Sequence, residues 1–119
     1  MMGIITVSLK VKNPKDESKF IEKEFLVDSG ATFSVVPQPL LDKIGIKPYR
    51  QEKFVLADGR IIKREVGEAI FEFEGKRAPS PVVIGKKTDS LLLGTLTLGA
   101  MGLVLDPFQR RLYKAKLML

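Results

Sequence analysis

Cysteine and histidine are both absent from this chain of 119 residues. Without cysteine there can be no thiolate nucleophile, no disulfide and no cysteine ligand for a metal. Without histidine, the Ser-His-Asp and Cys-His forms of nucleophilic catalysis are excluded, while a Ser-Lys or threonine nucleophile stays possible. Other acid–base chemistry near neutral pH requires a carboxylate, a tyrosine or a lysine, and a carboxylate serves only if burial or a like charge shifts its pKa. We therefore expect neither a metal nor a cofactor.

Long apolar runs are also lacking. The longest uncharged stretch, residues 90–105, is interrupted by Gly94, Gly99 and Gly102. It is too short for a typical transmembrane helix. Residues 1–12 lack the basic-then-apolar order of a signal peptide, and the absence of cysteine is compatible with a reducing compartment. These features predict a soluble, cytoplasmic protein with no membrane partner.

Neither positive nor negative charge is concentrated in one segment of the chain. The net charge is +6, but the 20 lysines and arginines are mixed with 14 acidic residues. The densest basic cluster, Arg110, Arg111, Lys114 and Lys116, is short, and we interpret it as solvated surface rather than as a polyanion site. A basic β module for nucleic acid would bind with strong salt dependence. No aromatic strand face supports that rival, so we expect no nucleic-acid partner.

What the chain does have is the alternating pattern of β-strands. In residues 4–11, Ile5, Val7, Leu9 and Val11 lie on one face and polar residues on the other. Further strands are predicted at residues 19–27, 33–36, 54–56, 60–62, 68–74, 82–84, 91–93, 103–105 and 111–117. The pattern indicates one mainly β domain spanning residues 1–119, with a closed or folded-over sheet.

Turn and helix signals separate the strands. Asn13 to Asp16 reads as a turn, and Asp58-Gly59 between apolar runs is a strong hairpin signal. Residues 39–44 predict a short helix that ends at Gly45, and residues 95–101 predict a second.

Asp28 is the residue that calls for a chemical explanation. It follows the apolar run Phe25-Leu26-Val27 and precedes Gly30, which places it in a tight loop emerging from the core. A carboxylate in that position is costly unless a partner satisfies it. Two such groups sharing one site hold a single proton, so that one acts as acid and the other as base, and the pair titrates as a unit. The chain has one such loop, and a two-fold symmetric dimer would supply the second.

The segment Phe-Leu-Val-Asp-Ser-Gly-Ala-Thr at residues 25–32 resembles the signature of retropepsin-like aspartic peptidases, the single-lobe, retroviral-protease type. The Leu-Leu-Leu-Gly block at residues 91–94, followed by Leu98 and residues 102–106, is similar to the family's second conserved block. The resemblance covers residues 5–112. Ser29 replaces the commoner threonine, and the hairpin at Asp58 is less glycine-rich than retroviral flaps.

The resemblance implies a homodimeric endopeptidase with the retropepsin-like β fold, acting on peptide or protein substrates. Asp28 of each subunit would activate the water that attacks the scissile carbonyl. The Ser29 hydroxyl would hold the two loops in register across the axis, and Gly30 would let the backbones approach closely. Ala31 would leave room for the substrate backbone. Gly94 would pack behind the loop. It can equally be interpreted as a glycine that only core packing requires.

The remaining alternatives stay open. By resemblance, Asp58 and Gly59 belong to a flap that closes over an extended peptide, but they can equally form only a hairpin turn. Asp28 with Ser29 and Gly30 can be a simple Asx-type turn, and with Ser34 it resembles a phosphorylation-dependent degradation signal. The fold can also serve a catalytically silent dimer that binds or regulates peptides and proteins.

Overall fold

The computed structural model describes residues 5–116. Within these residues the chain forms nine strands and two short helices. The strands are β1 (Thr6–Asn13), β2 (Asp16–Val27), β3 (Ser34–Pro37), β4 (Arg50–Val55), β5 (Ile61–Phe73), β6 (Lys76–Gly85), β7 (Leu92–Leu93), β8 (Leu103–Asp106) and β9 (Arg111–Lys114). The helices are α1 (Gln38–Lys43) and α2 (Thr95–Ala100). The prediction of a mainly β protein with one or two short helices is confirmed.

Seven of these strands form one sheet that closes on itself. The order is β1-β2-β7-β3-β6-β5-β4, and β1 pairs with β5 as well as with β2. Six strands therefore make a hydrogen-bonded ring, and β4 extends it as an edge strand beside β5. Strands β8 and β9 form a separate antiparallel pair. The predicted closed or folded-over sheet takes the form of this ring, while the homodimer stays a prediction.

The ring closes around side chains that the alternation in the sequence identifies. On the inner face predicted for residues 4–11, Ile5, Leu9 and Val11 are buried and Val7 is partly buried against the core. Phe25 of β2 and Phe71 of β5 are fully buried and meet edge to face, with ring centroids 6.0 Å apart. Burial of this apolar surface is the main stabilising term of the fold.

The two helices lie close to their predicted positions. Helix α1 has a proline in its first turn and is followed by Gly45 at φ +76°, a left-handed conformation that glycine adopts without strain. Helix α2 ends at Ala100, one residue before the predicted end. No helix within residues 5–116 has the length and apolar character needed to cross a membrane.

Strand lengths are where the structure departs from the sequence-based boundaries. Strand β4 begins at Arg50 rather than at residue 54, because β5 provides a continuous partner from Ile61 to Val66. Strand β2 begins at Asp16 rather than at residue 19, since it pairs along the whole of β1. The predicted strand ends at residues 4 and 117 lie outside the described residues.

Candidate active site

Asp28 lies where β2 leaves the core. The last residues of β2 are anchored by Phe25 and Val27, which are both buried. β2 pairs in parallel with the short strand β7, and the backbone N–H of Asp28 continues that pairing by donating to the carbonyl oxygen of Leu93 at 3.0 Å. The position of Asp28 is therefore fixed by a core strand, while its side chain stays half-buried.

The loop that follows, residues 28–33, folds back on the aspartate and is called the Asp28 loop below. The Gly30 N–H donates to Oδ1 of Asp28 at 2.9 Å, and the Ala31 N–H donates to the Asp28 carbonyl at 3.1 Å. A Cβ at Gly30 would lie 3.3 Å from Oδ1, so the loop is tight at this point. Within residues 5–116, no other group donates to this carboxylate, which leaves Oδ2 available to a water or a ligand.

The other side of the Asp28 loop is held by the start of α2. The N–H groups of Thr95 and Leu96 have no partner inside the helix. They donate instead to the carbonyls of Ala31 and Thr32, at 2.9 and 3.0 Å. Gly94 precedes them, and a Cβ there would lie 2.6 Å from the Phe33 carbonyl carbon and oxygen. A side chain at position 94 would displace the Asp28 loop.

Three hydroxyl groups form a buried chain behind the loop. Ser34 Oγ accepts from the Gly94 N–H at 3.0 Å and lies 2.5 Å from Thr97 Oγ1, which lies 2.8 Å from Ser80 Oγ. All three residues are at most 2% exposed. Ser80 Oγ donates to the Pro81 carbonyl at 3.1 Å, so Thr97 can donate to Ser80 and Ser34 to Thr97, and each hydroxyl has an acceptor. It joins β3, α2 and β6 directly behind the Asp28 loop.

Sequence reasoning missed this chain. Ser34 and Thr97 are 63 residues apart, and Ser80 and Thr97 are 17 apart. The available signal was a polar residue inside an apolar segment: Ser34 in the run that follows the Asp28 loop, and Thr97 among the leucines of α2. That signal shows that each hydroxyl needs a partner but does not show which one.

An open cleft of about 740 Å³ lies between the Asp28 loop, the β4–β5 hairpin and the segment 86–92. Ala31 and Thr32 line it from the Asp28 loop itself. Its apolar walls include Phe33, Val35, Phe54, Ile62, Val83 and Leu92. Phe33 and Phe54 meet edge to face across it, with centroids 5.5 Å apart, and this contact holds the hairpin against the loop. The cleft suits an extended, partly apolar chain.

The hairpin predicted at Asp58-Gly59 is present. Leu56 N–H donates to the Arg60 carbonyl at 2.8 Å, and Gly59 has φ +86° with open space around it. Asp58 accepts from the Arg60 backbone N–H at 3.0 Å and from Arg60 Nε at 2.6 Å. The backbone hydrogen bond, followed by the side-chain one, lowers the pKa of Asp58. Neither Asp58 nor Gly59 lines the cleft, so their role as a flap stays a prediction.

The cleft also carries positive charge that sequence reasoning did not single out. Arg60, Arg64 and Lys86 line it together with one acid, Asp89. The Asp89 carboxylate already accepts from the backbone N–H of Lys86 at 2.8 Å. The signal was the alternation of Arg60, just before β5, with Ile62 and Arg64 on one face of β5, which becomes informative only once that face is known to border a cleft.

Within residues 5–116, no three acidic side chains lie close enough together to hold a metal ion. A family model described as aspartyl protease matches residues 9–97. The matched segment starts within β1 and ends within α2, so it includes the Asp28 loop, the β4–β5 hairpin and Gly94. Among curated proteins, none matches the chain significantly.

Proposed function

The chain belongs to the aspartyl protease family, and on that premise we propose that it is a homodimeric aspartic endopeptidase whose two Asp28 side chains meet at the dimer axis. The observation that carries the proposal is the Asp28 loop. Its aspartate is fixed by the Leu93 carbonyl and the Gly30 N–H, and its second carboxylate oxygen accepts no hydrogen bond from residues 5–116. A single chain supplies one such loop, and two-fold symmetry supplies the second.

The proposed reaction follows from two carboxyl groups that share one proton. Like-charge repulsion raises the pKa of one of them, so one is protonated and the other ionised. The ionised group removes a proton from a water held between them, and the resulting hydroxide bonds to the scissile carbonyl carbon. The protonated group donates its proton to the carbonyl oxygen. When the tetrahedral intermediate collapses, a proton passes to the leaving amine, and no covalent enzyme intermediate forms.

The residues around Asp28 receive positioning roles in this proposal. Ser29 is exposed at the turn of the loop, where its hydroxyl can hydrogen-bond to the partner loop. Gly30 allows the close turn against Oδ1 of Asp28, and Ala31 opens the loop towards the cleft. Gly94 supports the loop from behind, since a side chain there would collide with the Phe33 backbone.

The β4–β5 hairpin serves as the flap, with Asp58 and Gly59 at its tip. β4 is the edge strand of the sheet, and its partner β5 continues into the ring. An extended peptide in the cleft would therefore lie beneath a two-stranded arm that is attached at one end. Backbone hydrogen bonds from such an arm bind a peptide irrespective of its sequence, in the manner of strand addition.

One observation favours the alternative, a silent dimer that binds peptides without cleaving them. The contact between Phe33 and Phe54 already holds the hairpin against the Asp28 loop. A hairpin held in that way would limit access to the cleft. We place the activity in the cytoplasm as part of the same proposal, supported by the cysteine-free composition.

The test is a comparison of the protein with its Asp28→Asn variant on a diverse peptide pool, from mildly acidic to neutral pH, with new termini identified by mass spectrometry. The change removes one acid–base group from each subunit, so we expect the rate of cleavage to fall by about 10²–10⁴-fold or more. Asp42→Asn is the matched control, because Asp42 is exposed on α1 away from the cleft. Equal cleavage by the Asp28→Asn variant would remove Asp28 from the mechanism. Binding without cleavage by the folded dimer would establish the alternative.

A further inference from the structure

Arg64 is the one guanidinium of the cleft wall that has no acidic partner within the described residues. It lies half-buried on β5, on the face that carries Ile62 and Arg60 towards the cleft. Its only side-chain hydrogen bond within residues 5–116 runs from Nη1 to the carbonyl of Lys63 at 3.0 Å. A guanidinium has five N–H donors in a fixed planar arrangement, so most of those of Arg64 have no partner among the described residues.

The acidic residue directly across the sheet from Arg64 is engaged elsewhere. Glu52 pairs directly across the β4–β5 ladder from Arg64, but its carboxylate lies 3.4 Å from Nε of Arg50. Arg60, the other arginine of the wall, is bound to Asp58 at the hairpin tip, where Nε and Oδ2 are 2.6 Å apart. Of the two arginines that line the cleft, Arg60 at its outer end is therefore paired with an acid. Arg64, further along β5, has no acidic partner within residues 5–116.

The surroundings of Arg64 define what would bind it. Ile62 is two residues away on the same face of β5, and Phe54 lies directly opposite Ile62 on β4. A ligand group at this point meets apolar surface on one side and a planar cation on the other. Partial burial strengthens the attraction of a guanidinium for a carboxylate, which it binds through two parallel hydrogen bonds. Lys86 adds a second positive charge to the cleft, against the single acid Asp89.

Resting on the proposed function, we infer that the enzyme selects extended peptide segments that carry a glutamate or aspartate side chain at one position, bound by Arg64, beside an apolar side chain that packs on Phe54 and Ile62. Arg64 is then a specificity-determining residue and takes no part in the chemistry at Asp28. The substrates are acidic-apolar segments of other proteins, and the net positive charge of the cleft attracts them.

The test uses pairs of peptides based on a sequence that the enzyme cleaves. The two peptides of a pair carry glutamate or glutamine at one position, and successive pairs move that position along the sequence. The wild-type protein should show one position at which glutamate raises kcat/KM by at least about tenfold, the lower end of the range for charge-assisted hydrogen bonds. In Arg64→Gln that preference should disappear. Lys63→Gln is the matched control: it removes the same charge from the next residue of β5, whose side chain is exposed. It should keep the preference, which separates a local contact from general attraction to a protein of net charge +6.

The same peptides, carrying a fluorophore, are also measured for binding by anisotropy to the Asp28→Asn protein with and without Arg64→Gln. This readout separates the inference from the proposed function, since it does not need turnover. Cleavage without a glutamate preference, or a preference that survives Arg64→Gln, would overturn the role of Arg64 and leave the peptidase intact. If no peptide is cleaved, the peptidase proposal fails. Binding that favours glutamate through Arg64 would then still support the inference, and equal or absent binding would overturn it.

Discussion

The Asp28 loop and the β4–β5 hairpin face each other across one cleft, yet they are built in different ways. The loop is tied to β7 and α2 behind it, through the Leu93 carbonyl and the first N–H groups of α2, and the buried Ser34 hydroxyl that follows the loop accepts from the Gly94 N–H. The hairpin ends in an edge strand, and near its tip Val55 is 72% and Ile61 64% exposed. A loop held on several sides can position a reacting group closely, whereas an arm with an exposed tip can move to admit a peptide.

The comparison predicts that one added methyl group behind the loop has the largest structural effect. In Gly94→Ala, the new Cβ would meet backbone atoms of Phe33 at 2.6 Å, which cannot move without shifting the Asp28 loop. We expect the free energy of unfolding, measured by urea denaturation, to fall by about 3 kcal/mol, and peptidase activity to be lost with it.

Gly99→Ala is the matched control for that change. Gly99 lies in helix α2, which Gly94 immediately precedes, and nothing lies within 4 Å of a Cβ placed there. It should leave stability unchanged or raise it by up to about 1 kcal/mol, the helix preference of alanine over glycine. If the two alanine variants are equally stable, the close packing behind the Asp28 loop is not what holds it.

The next largest effect is expected from Thr97→Val, which removes the central hydroxyl of the buried chain without a large change of shape. Ser34 and Ser80 would each lose a partner in a region that water does not reach. We expect a loss of about 1–3 kcal/mol in urea denaturation. Thr95→Val, at an exposed position of the same helix, should change stability by less than about 0.5 kcal/mol. Equal effects at the two positions would show that the hydroxyl chain contributes no stability.

On the hairpin side, the effect on stability should be smaller and more local. Phe54→Ala removes the edge-to-face contact with Phe33, a type of contact that contributes about 0.5–1.5 kcal/mol beyond the area it buries. Hydrogen exchange of the hairpin amides should become faster while that of the Asp28 loop stays unchanged. Val55→Ala, on the outer face of the same strand, should alter neither. Faster exchange throughout the Asp28 loop in Phe54→Ala would show that the two regions are not mechanically separate.

The sequence predicted those features that local chemistry determines. The alternation in β1 identified a core face, the Asp-Gly pair placed the hairpin turn, and Gly45 marked the end of α1. The apolar run before Asp28 was sufficient to place a carboxylate at the exit of a core strand. In each case the determining residues are neighbours in the chain, so turn and strand preferences act directly on them.

Features that depend on residues distant in the sequence could not be predicted from it. The hydroxyl chain joins residues from three elements, and nothing in the local sequence pairs Ser34 with Thr97. The start of β4 depends on how far β5 extends opposite it, which is a property of the folded sheet. That Arg64 has no acidic partner within residues 5–116 depends on Glu52 lying near Arg50 instead. Each of these is decided by tertiary packing, which overrides local preference.

The measurement that tests the central claim most directly is a subunit-mixing experiment. Wild-type and Asp28→Asn chains are unfolded together, refolded at a fixed total concentration in varying ratios, and assayed on one cleaved peptide. If two Asp28 side chains from two copies form each site, activity follows the square of the wild-type fraction, and an equal mixture keeps about a quarter of the wild-type activity. Activity that falls in direct proportion to the wild-type fraction, to about half in the equal mixture, would show that each chain carries a complete site and would contradict the shared site.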